Sequence, residues 1–450
     1  MDTFLTSVRE FVESEQLFAP DSRLLLGVSG GMDSTALVYA LLELGYEVGM
    51  CHVNFQLRGS DSNKDAEFVE ALGRTLDIPT YITEMNTVEL AAKAKVSIQE
   101  VARQIRYEFF EKIRKSEGFD YICTAHHLDD QIETVFFRWI KGSGWNGLLG
   151  IPAVNALIRR PFLTQKKGDI AHFCRTHQIH HREDASNQSD KYDRNYIRHH
   201  LIPAMSRINP SYHQTFLHQN RVLQSSFDFY RSQVKAYWQD KVFTKNKLIY
   251  ADVSNLREVA GGMSVLFDLL SIYSFQSEAN RQIFEDILTG KSGTLYLSNT
   301  HEVLLFRKEL CIRSKDDQGL TDPVTLSVLQ TPLIIHTEMG IFTTSEIHEA
   351  PHHRIALKPE MLPLQLRTWQ NGDYFHPMGM DGKTKKLSDY FNDVGVNRFE
   401  RDRMMLLCRD AHVLWVPGYR LDESVPEIAG ELILSFIPHE SKRRAIDVFE

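Results

Sequence analysis

No apolar run in the sequence approaches the ~20 residues that span a bilayer, so no transmembrane segment is expected. The start, MDTFLTSVREFVESEQ, lacks the basic head and continuous apolar core of a signal peptide. It reads instead as an amphipathic helix with Phe4, Leu5, Val8, Phe11 and Val12 on one face. Cysteine is sparse: Cys51, Cys123, Cys174, Cys311 and Cys408 are scattered and never form C-x-x-C, which points to a cytoplasmic protein with reduced thiols. The Walker pattern G-x-x-x-x-G-K-[ST] is missing, and no G-x-G-x-x-G sits in the one glycine-rich turn near the start, so a dinucleotide fingerprint is excluded there. Net positive charge is lacking as well. The formal charge of −8 argues against an RNA partner only weakly, because one local basic surface suffices for such a partner.

What is present centres on LLLGVSGGMDS, residues 24–34. Leu24, Leu25, Leu26 and Val28 form the short apolar run of a buried parallel strand. Ser29, Gly30 and Gly31 turn the chain, and Ala36, Leu37, Ala40, Leu41 and Leu44 then recur with helical spacing up to Gly45. Glycines let backbone approach an anion, and the first NH groups of a helix lack internal partners. With Met32 in the turn and Ser29 and Ser34 as extra hydroxyl donors, the segment is shaped for phosphate. Asp33 would repel phosphate unless Mg²⁺ bridged the two; a plain β–α turn with an Asp cap is the alternative. SGGMDS resembles the SGGxDS loop of the ATP pyrophosphatases, which cleave ATP between the α and β phosphates and transfer AMP to a substrate oxygen.

Residues 22–150 alternate strand and helix, which predicts a parallel sheet covered on both faces. Ligands of such sheets bind beyond the carboxyl ends of the strands. That rule gathers Ser29–Ser34, His52–Arg58, the start of the helix capped by Ser97 and Glu100, and His126–Glu133 into one crevice. His52 and Arg58 either reach the nucleotide or decorate a loop. Arg103 and Arg106 share a helical face, and near phosphates they become clamps rather than a solvated surface. In AHHLDDQIET, Asp130 and Glu133 lie one turn apart beside His126, His127 and Asp129. Carboxylates outnumber histidines there, which favours Mg²⁺ held by Asp33 and Asp130 over zinc. Acids stabilising a helix start are the simpler alternative.

ARQIRY, AHHLDDQIET, GSGWNGLLGIP, RRPFL and EDASNQSDKYDRNYIR follow SGGMDS in order, and as a set they resemble the tRNA(Ile)-lysidine synthetases, a branch of the ATP pyrophosphatases. The resemblance covers most of residues 22–205; Phe55-Gln56 departs from the family's His-Gly, so position 55 receives no role. It implies that ATP adenylates the C2 oxygen of the cytidine at the first position of a CAU anticodon in an isoleucine tRNA. The ε-amine of L-lysine then displaces AMP. It further implies ATP contacts at Ser29, Gly30, Gly31, Met32, Asp33, Ser34, His52 and Arg103, and catalytic roles for Asp33, Arg106, Asp130 and Glu133. Glu133 would orient lysine or accept its proton, and Arg106 would stabilise the adenylated base or the α-phosphate. A tRNA sulfur transferase with the same loop is the rival enzyme, and the isolated cysteines count against it.

Residues 151–221 turn basic, with Arg159, Arg160, Lys166, Lys167, Arg175, Arg182, Lys191, Arg194, Arg198 and Arg207 among histidines and tyrosines. A solvated face is one reading; with the resemblance, Arg194 and Arg198 become tRNA contacts. RTWQNGDYFHPMGMDGKTKKLSDYFNDVGVNRFERDRMMLL and VLWVPGYRLDE, within residues 367–423, resemble the same family's C-terminal domain, where Lys383, Lys385 and Lys386 form a basic loop for tRNA phosphate and Arg398, Arg401 and Arg403 form a second cluster with no assigned role. The expected architecture is α/β: an N-terminal adenine nucleotide alpha-hydrolase-like (PP-loop) parallel-sheet domain at 1–207, a mainly helical middle domain with a small sheet at 208–315, and a strand-rich α+β C-terminal domain at 326–436. The sequence does not set the oligomeric state, a homodimer being one option.

Overall fold

The computed structural model describes residues 2–57, 59–94, 96–182, 193–317, 322–328, 331–345, 350–425, 432–439 and 443–444. Arg58, Lys191 and the Glu183-Asp184 pair lie outside the described residues. The chain divides into two compact units, Met1–Asp228 and the remainder from Phe229.

In the first unit, helix α1 (Thr3–Ser14) starts where the Asp2 carboxylate accepts the Phe4 amide, and it buries Phe4, Leu5, Val8 and Val12. There follow β1 (Arg23–Gly27), α2 (Met32–Glu43), β2 (Glu47–Asn54), α3 (Ser60–Leu76), β3 (Thr80–Glu84), α4 (Thr87–Ala94), α5 (Ile98–Glu117), β4 (Tyr121–Cys123), α6 (Leu128–Ile140), α7 (Gly144–Leu148), β5 (Val154–Asn155), β6 (Ile158–Arg159) and α8 (Lys167–Thr176). The sheet order is β3-β2-β1-β4-β6-β5, with every pair parallel except β5–β6.

Strand β1 is the axis of this unit. Leu24 and Leu26 point into a core shared with α1, α2 and α8; Leu25 points the other way, onto Cys51, Ile122 and Phe110 of α5. Both faces are therefore covered, and the alternation of side chains along one strand feeds two cores. A Cβ on Gly27 would stand 2.6 Å from the Phe110 ring, so the close crossing of α5 requires glycine there. Since β1 pairs with β2 on one side and β4 on the other, the order reverses at β1, and a crevice opens beyond its carboxyl end.

In the second unit, strands between Val242 and Ser314, with Arg443–Arg444 added at one edge, form a six-stranded antiparallel sheet beside helices Gly262–Ile272 and Ser277–Thr289. The middle segment thus carries more sheet than its helical pattern led us to expect. Beyond it, a seven-stranded and a four-stranded sheet share a core around Phe342, Trp415 and Leu434. The expected boundary near 208 is not where the compact units part. The expected division between 315 and 326 does not separate compact units either. Phe399 is fully buried among Leu248, Tyr250, Leu304 and Cys311, and Arg313 lies 4.0 Å over its ring while pairing with Asp402 at 2.9 Å. The described residues from Phe229 onward therefore belong to one compact unit. Among the described residues, no helix is long and apolar enough to cross a membrane.

Candidate active site

The crevice beyond β1 is a cleft of about 780 Å³. The glycine-rich turn forms its floor. Gly30 takes φ +85°, a region open to glycine, and its carbonyl accepts the Arg182 amide at 2.9 Å. Ser34 braces the turn from within: its hydroxyl accepts the Ser29 amide at 3.1 Å and donates to the Gly31 carbonyl at 3.1 Å. Ser34 is thus spent on the loop's own shape, although it was expected as a free donor; Ser29, Gly31, Met32, Asp33 and Ser34 all line the cleft, and Gly30 does not. No side chain caps α2, which begins at Met32, so its first amides remain available to an anion.

Opposite the turn, α6 presents the acidic cluster. His127 caps it: its ring Nδ1 accepts the Asp130 amide at 3.4 Å, and its own amide donates to Asp130 Oδ2 at 3.0 Å. The ring proton then sits on Nε2, which lies 3.6 Å from both Asp33 Oδ2 and Asp130 Oδ2. One buried imidazole thereby links the two carboxylates that sequence placed at a metal. Burial works to lower the His127 pKa, but Asp33, Asp130 and Asp129 around it outweigh that and raise it. For Asp33, burial raises the carboxyl and is outweighed by His127, Lys167 and Arg198, which hold it below the ordinary range. Asp33 Oδ1 is buried without a hydrogen-bond partner in the protein. A bare carboxylate oxygen facing a phosphate-shaped turn, with Asp130 nearby, fits a hard cation such as Mg²⁺.

Asp129 serves the fold instead. It accepts the Lys167 amide at 2.9 Å and the His213 ring at 3.0 Å, and these bonds overcome burial to hold its pKa at about 2. His126 lines the cleft with Nδ1 2.9 Å from the Thr124 hydroxyl, and burial pushes its pKa down to about 4. His52 is buried; its Nδ1 is bonded to the Val28 carbonyl at 2.8 Å, and its Nε2 is unpartnered at the cleft wall.

Glu133 is 2% exposed and lines the cleft, where burial raises its pKa. Arg198 grips it with both prongs, at 2.6 and 3.0 Å, from a π-helical segment, Ile197–Leu201. Arg198 Nη2, which donates to Glu133 at 3.0 Å, also lies 3.7 Å from Asp130 Oδ1. Arg198, expected to contact tRNA, thus spends its charge on a buried acid in this structure, with 25% of its side chain still exposed. The basic stretch around it is depleted in the same way. Arg159 donates to the Leu17 carbonyl at 2.5 Å, Arg160 to the Pro152 carbonyl at 2.6 Å, and Arg182 to Asp65. Arg194 is exposed, lines the cleft and sits 5.6 Å over the Phe137 ring.

The two arginines of α5 part company. Arg106 lines the cleft 5.3 Å over the Phe55 ring, has no carboxylate partner among the described residues, and is pulled down in pKa by burial. Arg103, expected against ATP, is exposed over Tyr107 at 4.9 Å and is not among the residues that line the cleft. In the second unit, Lys385 pairs with Asp393 and lies 5.8 Å over Tyr390, whereas Lys383 and Lys386 are exposed. Among the described residues, Lys385 alone of the three has a carboxylate partner, and Lys383 and Lys386 are left to face solvent. Arg403, in the unassigned cluster, is fully buried against Asp317 at 3.1 Å and Glu338 at 3.5 Å. Lys167, Arg182, Asp65, Tyr107 and Thr124 also line the cleft and were not singled out as site residues; Lys167 and Arg182 were visible only as members of the basic stretch.

A family model described as the PP-loop domain matches residues 2–205, and one described as the TilS substrate C-terminal domain matches residues 364–432. The tRNA(Ile)-lysidine synthase of Parabacteroides distasonis is 32% identical over 449 residues, covering 96% of this chain and 99% of the relative. That of Bacteroides thetaiotaomicron is 32% identical over 425 residues, covering 92% and 95%. Among solved structures, a U34-tRNA thiolase of Methanococcus maripaludis aligns with 49% of this chain and 78% of its own at 16% identity and TM-score 0.40, too loose a match to carry an argument. An identity of about a third sustained from end to end, over a chain whose first unit carries the loop and acidic cluster in one cleft, means that this chain belongs to the tRNA(Ile)-lysidine synthase family.

Proposed function

We propose that the chain is an ATP-dependent ligase that joins L-lysine to C2 of the cytidine at the first position of the CAU anticodon of an isoleucine tRNA. The end-to-end identity to tRNA(Ile)-lysidine synthases carries this reading. In the first step the C2 oxygen attacks the α-phosphorus and the bond to the β-phosphate breaks, releasing pyrophosphate. In the second, the lysine ε-amine attacks C2, the C2–O bond breaks, and AMP leaves with the oxygen. The order makes chemical sense, since a carbonyl oxygen leaves poorly until it carries AMP.

The roles of the side chains follow from their surroundings. The turn at Ser29–Ser34 and the open amides of α2 are suited to the β and γ phosphates. Asp33 and Asp130 are the residues that would hold Mg²⁺, which when bound neutralises charge on the phosphates. Arg106 has no carboxylate partner among the described residues and is suited to the α-phosphate or the adenylated base. Glu133, raised in pKa by burial, is suited to take the proton of the attacking amine, with Arg198 fixing its orientation. Arg194 at the cleft and Lys383 and Lys386 in the second unit remain as tRNA contacts. A cytoplasmic location accords with buried thiols at all five cysteines.

Release of pyrophosphate from ATP tests the first step. It should depend on an isoleucine tRNA with the CAU anticodon and should vanish in Asp33→Ala. Release by that variant at the normal rate would remove Asp33 from the mechanism.

A further inference from the structure

A cluster in the second unit plays no part in the cleft. Strand Tyr374–Phe375 leads into His376, strand His412–Val416 pairs beside it through Tyr374 and His412, and strand Arg420–Leu421 runs back along the latter to Asp422. A bridge between Pro377 and Asp422 closes the arrangement. One ring nitrogen of His376, one of His412 and a carboxylate oxygen of Asp422 all lie within 4.8 Å of one another.

Asp422 is fully buried, and a buried carboxylate needs several donors. Its Oδ1 accepts the Ser424 amide at 2.9 Å and the Ser424 hydroxyl at 2.5 Å; its Oδ2 accepts the His376 amide at 2.6 Å. Those bonds orient the carboxylate before either ring is counted. Both imidazoles then aim at the same oxygen, His412 Nε2 from 2.8 Å and His376 Nδ1 from 3.4 Å. The longer distance is poor for a hydrogen bond. The rings are steeply inclined, at 82°, and His412 is stacked on Tyr374 with only 5° between the planes, so neither ring position is arbitrary. The 2.8 Å contact is a hydrogen bond from His412, whose ring proton a metal ion would replace; the 3.4 Å separation matches the ~3.3 Å between ligand atoms that metal bonds of ~2.0–2.1 Å impose at a tetrahedral centre. Each ring keeps about a quarter of its side chain exposed, so a fourth position faces water.

We propose that His376, His412 and Asp422 bind a divalent transition metal, zinc in the first place. Two imidazole nitrogens and one carboxylate oxygen favour zinc, nickel or copper over magnesium. Hydrogen bonds from Ser424 and the His376 amide are the outer support that a ligating carboxylate receives in such sites. The ion ties three strands together at the root of the turn that leads to Lys383 and Lys385. This site is separate from the Asp33–Asp130 pair and does not depend on the proposed reaction.

The test uses the full chain without a histidine tag, dialysed against chelator, with zinc titrated by calorimetry in the presence of millimolar magnesium. One equivalent should bind, weakened about tenfold or more in both His376→Ala and His412→Ala, and unchanged in Asp33→Ala. Cobalt should give the visible bands of nitrogen–oxygen ligation without a thiolate band, because all five cysteines are buried. His376→Gln, at a partly exposed ring, guards against misfolding and should show the same weakening. Absence of zinc binding overturns the proposal. So does binding unaltered in all of the histidine variants, or lost only in Asp33→Ala.

Discussion

Arg198→Ala is the most informative single change. Wild-type Arg198 holds Glu133 at 2.6 and 3.0 Å, and Glu133 is only 2% exposed. Removing one partner of a buried pair strands the other charge at a cost of about 3–5 kcal/mol. Because 25% of the Arg198 side chain is exposed, water can enter the vacated space, and the loss is discounted to about 2–3 kcal/mol. With a urea slope of about 2 kcal/mol/M, the midpoint falls by about 1–1.5 M. The loss has a pH signature. Burial raises the folded Glu133 carboxyl above its ordinary value of 4.5 even with Arg198 present. Without Arg198 it rises further, so the native state binds more protons than the unfolded chain between 4.5 and the raised value. Stability is therefore retained below that window and lost as pH climbs through it. The deficit of the variant should be largest at pH 8 and narrow toward pH 5. Urea unfolding at both pH values, with and without Glu133→Gln, is the assay; in the Gln background the arginine should matter by less than about 1 kcal/mol. Equal deficits at both pH values and in both backgrounds would refute the pairing. So would a variant with wild-type stability and only a raised KM for tRNA, which would restore Arg198 to the RNA surface.

Arg106→Ala should lower the rate of lysine transfer at saturation about a hundredfold, the range for a lost charge-stabilising donor, while Arg103→Ala stays within a few-fold of wild type in steady-state kinetics. Simultaneous Lys383→Ala and Lys386→Ala should raise the KM for tRNA and flatten its salt dependence with the saturated rate unchanged; adding Lys385→Ala should move neither, because that lysine already serves Asp393. Asp129→Asn should cost about 2 kcal/mol at pH 7, since a carboxyl held at about 2 against an ordinary 3.8 contributes stability that is present above 3.8 and lost as acid titrates it; thermal unfolding at pH 7 and pH 3 should show the variant's deficit shrinking in acid.

The parts of the site that were legible in the sequence are those encoded by local spacing. Leu24–Val28 and the glycines after it specify strand and turn through nearest neighbours alone. Asp130 and Glu133 declare a shared face because three residues make nearly one helical turn. What failed was non-local. Glu133 and Arg198 are 65 positions apart, and no periodicity ties a basic residue in one helix to an acid in another. Arg159 and Arg160 look like surface charge until their carbonyl acceptors on Leu17 and Pro152 are seen. Lys385 and Lys386 separate because successive strand residues point to opposite sides, and only the first meets Asp393 and Tyr390. Packing across a polar stretch is equally non-local: the segment after residue 314 has a linker's composition, yet Phe399 from beyond it packs with Leu248, Tyr250, Leu304 and Cys311 of the preceding sheet.

The most direct test of the whole account is the ATP-dependent transfer of labelled lysine to transcripts of isoleucine tRNA. The account predicts one lysine per tRNA, with one AMP and one pyrophosphate released for each. It also predicts no transfer when the first anticodon cytidine is replaced by uridine. Absence of lysine from the tRNA, with sulfur incorporated instead when a sulfur donor is supplied, would contradict it.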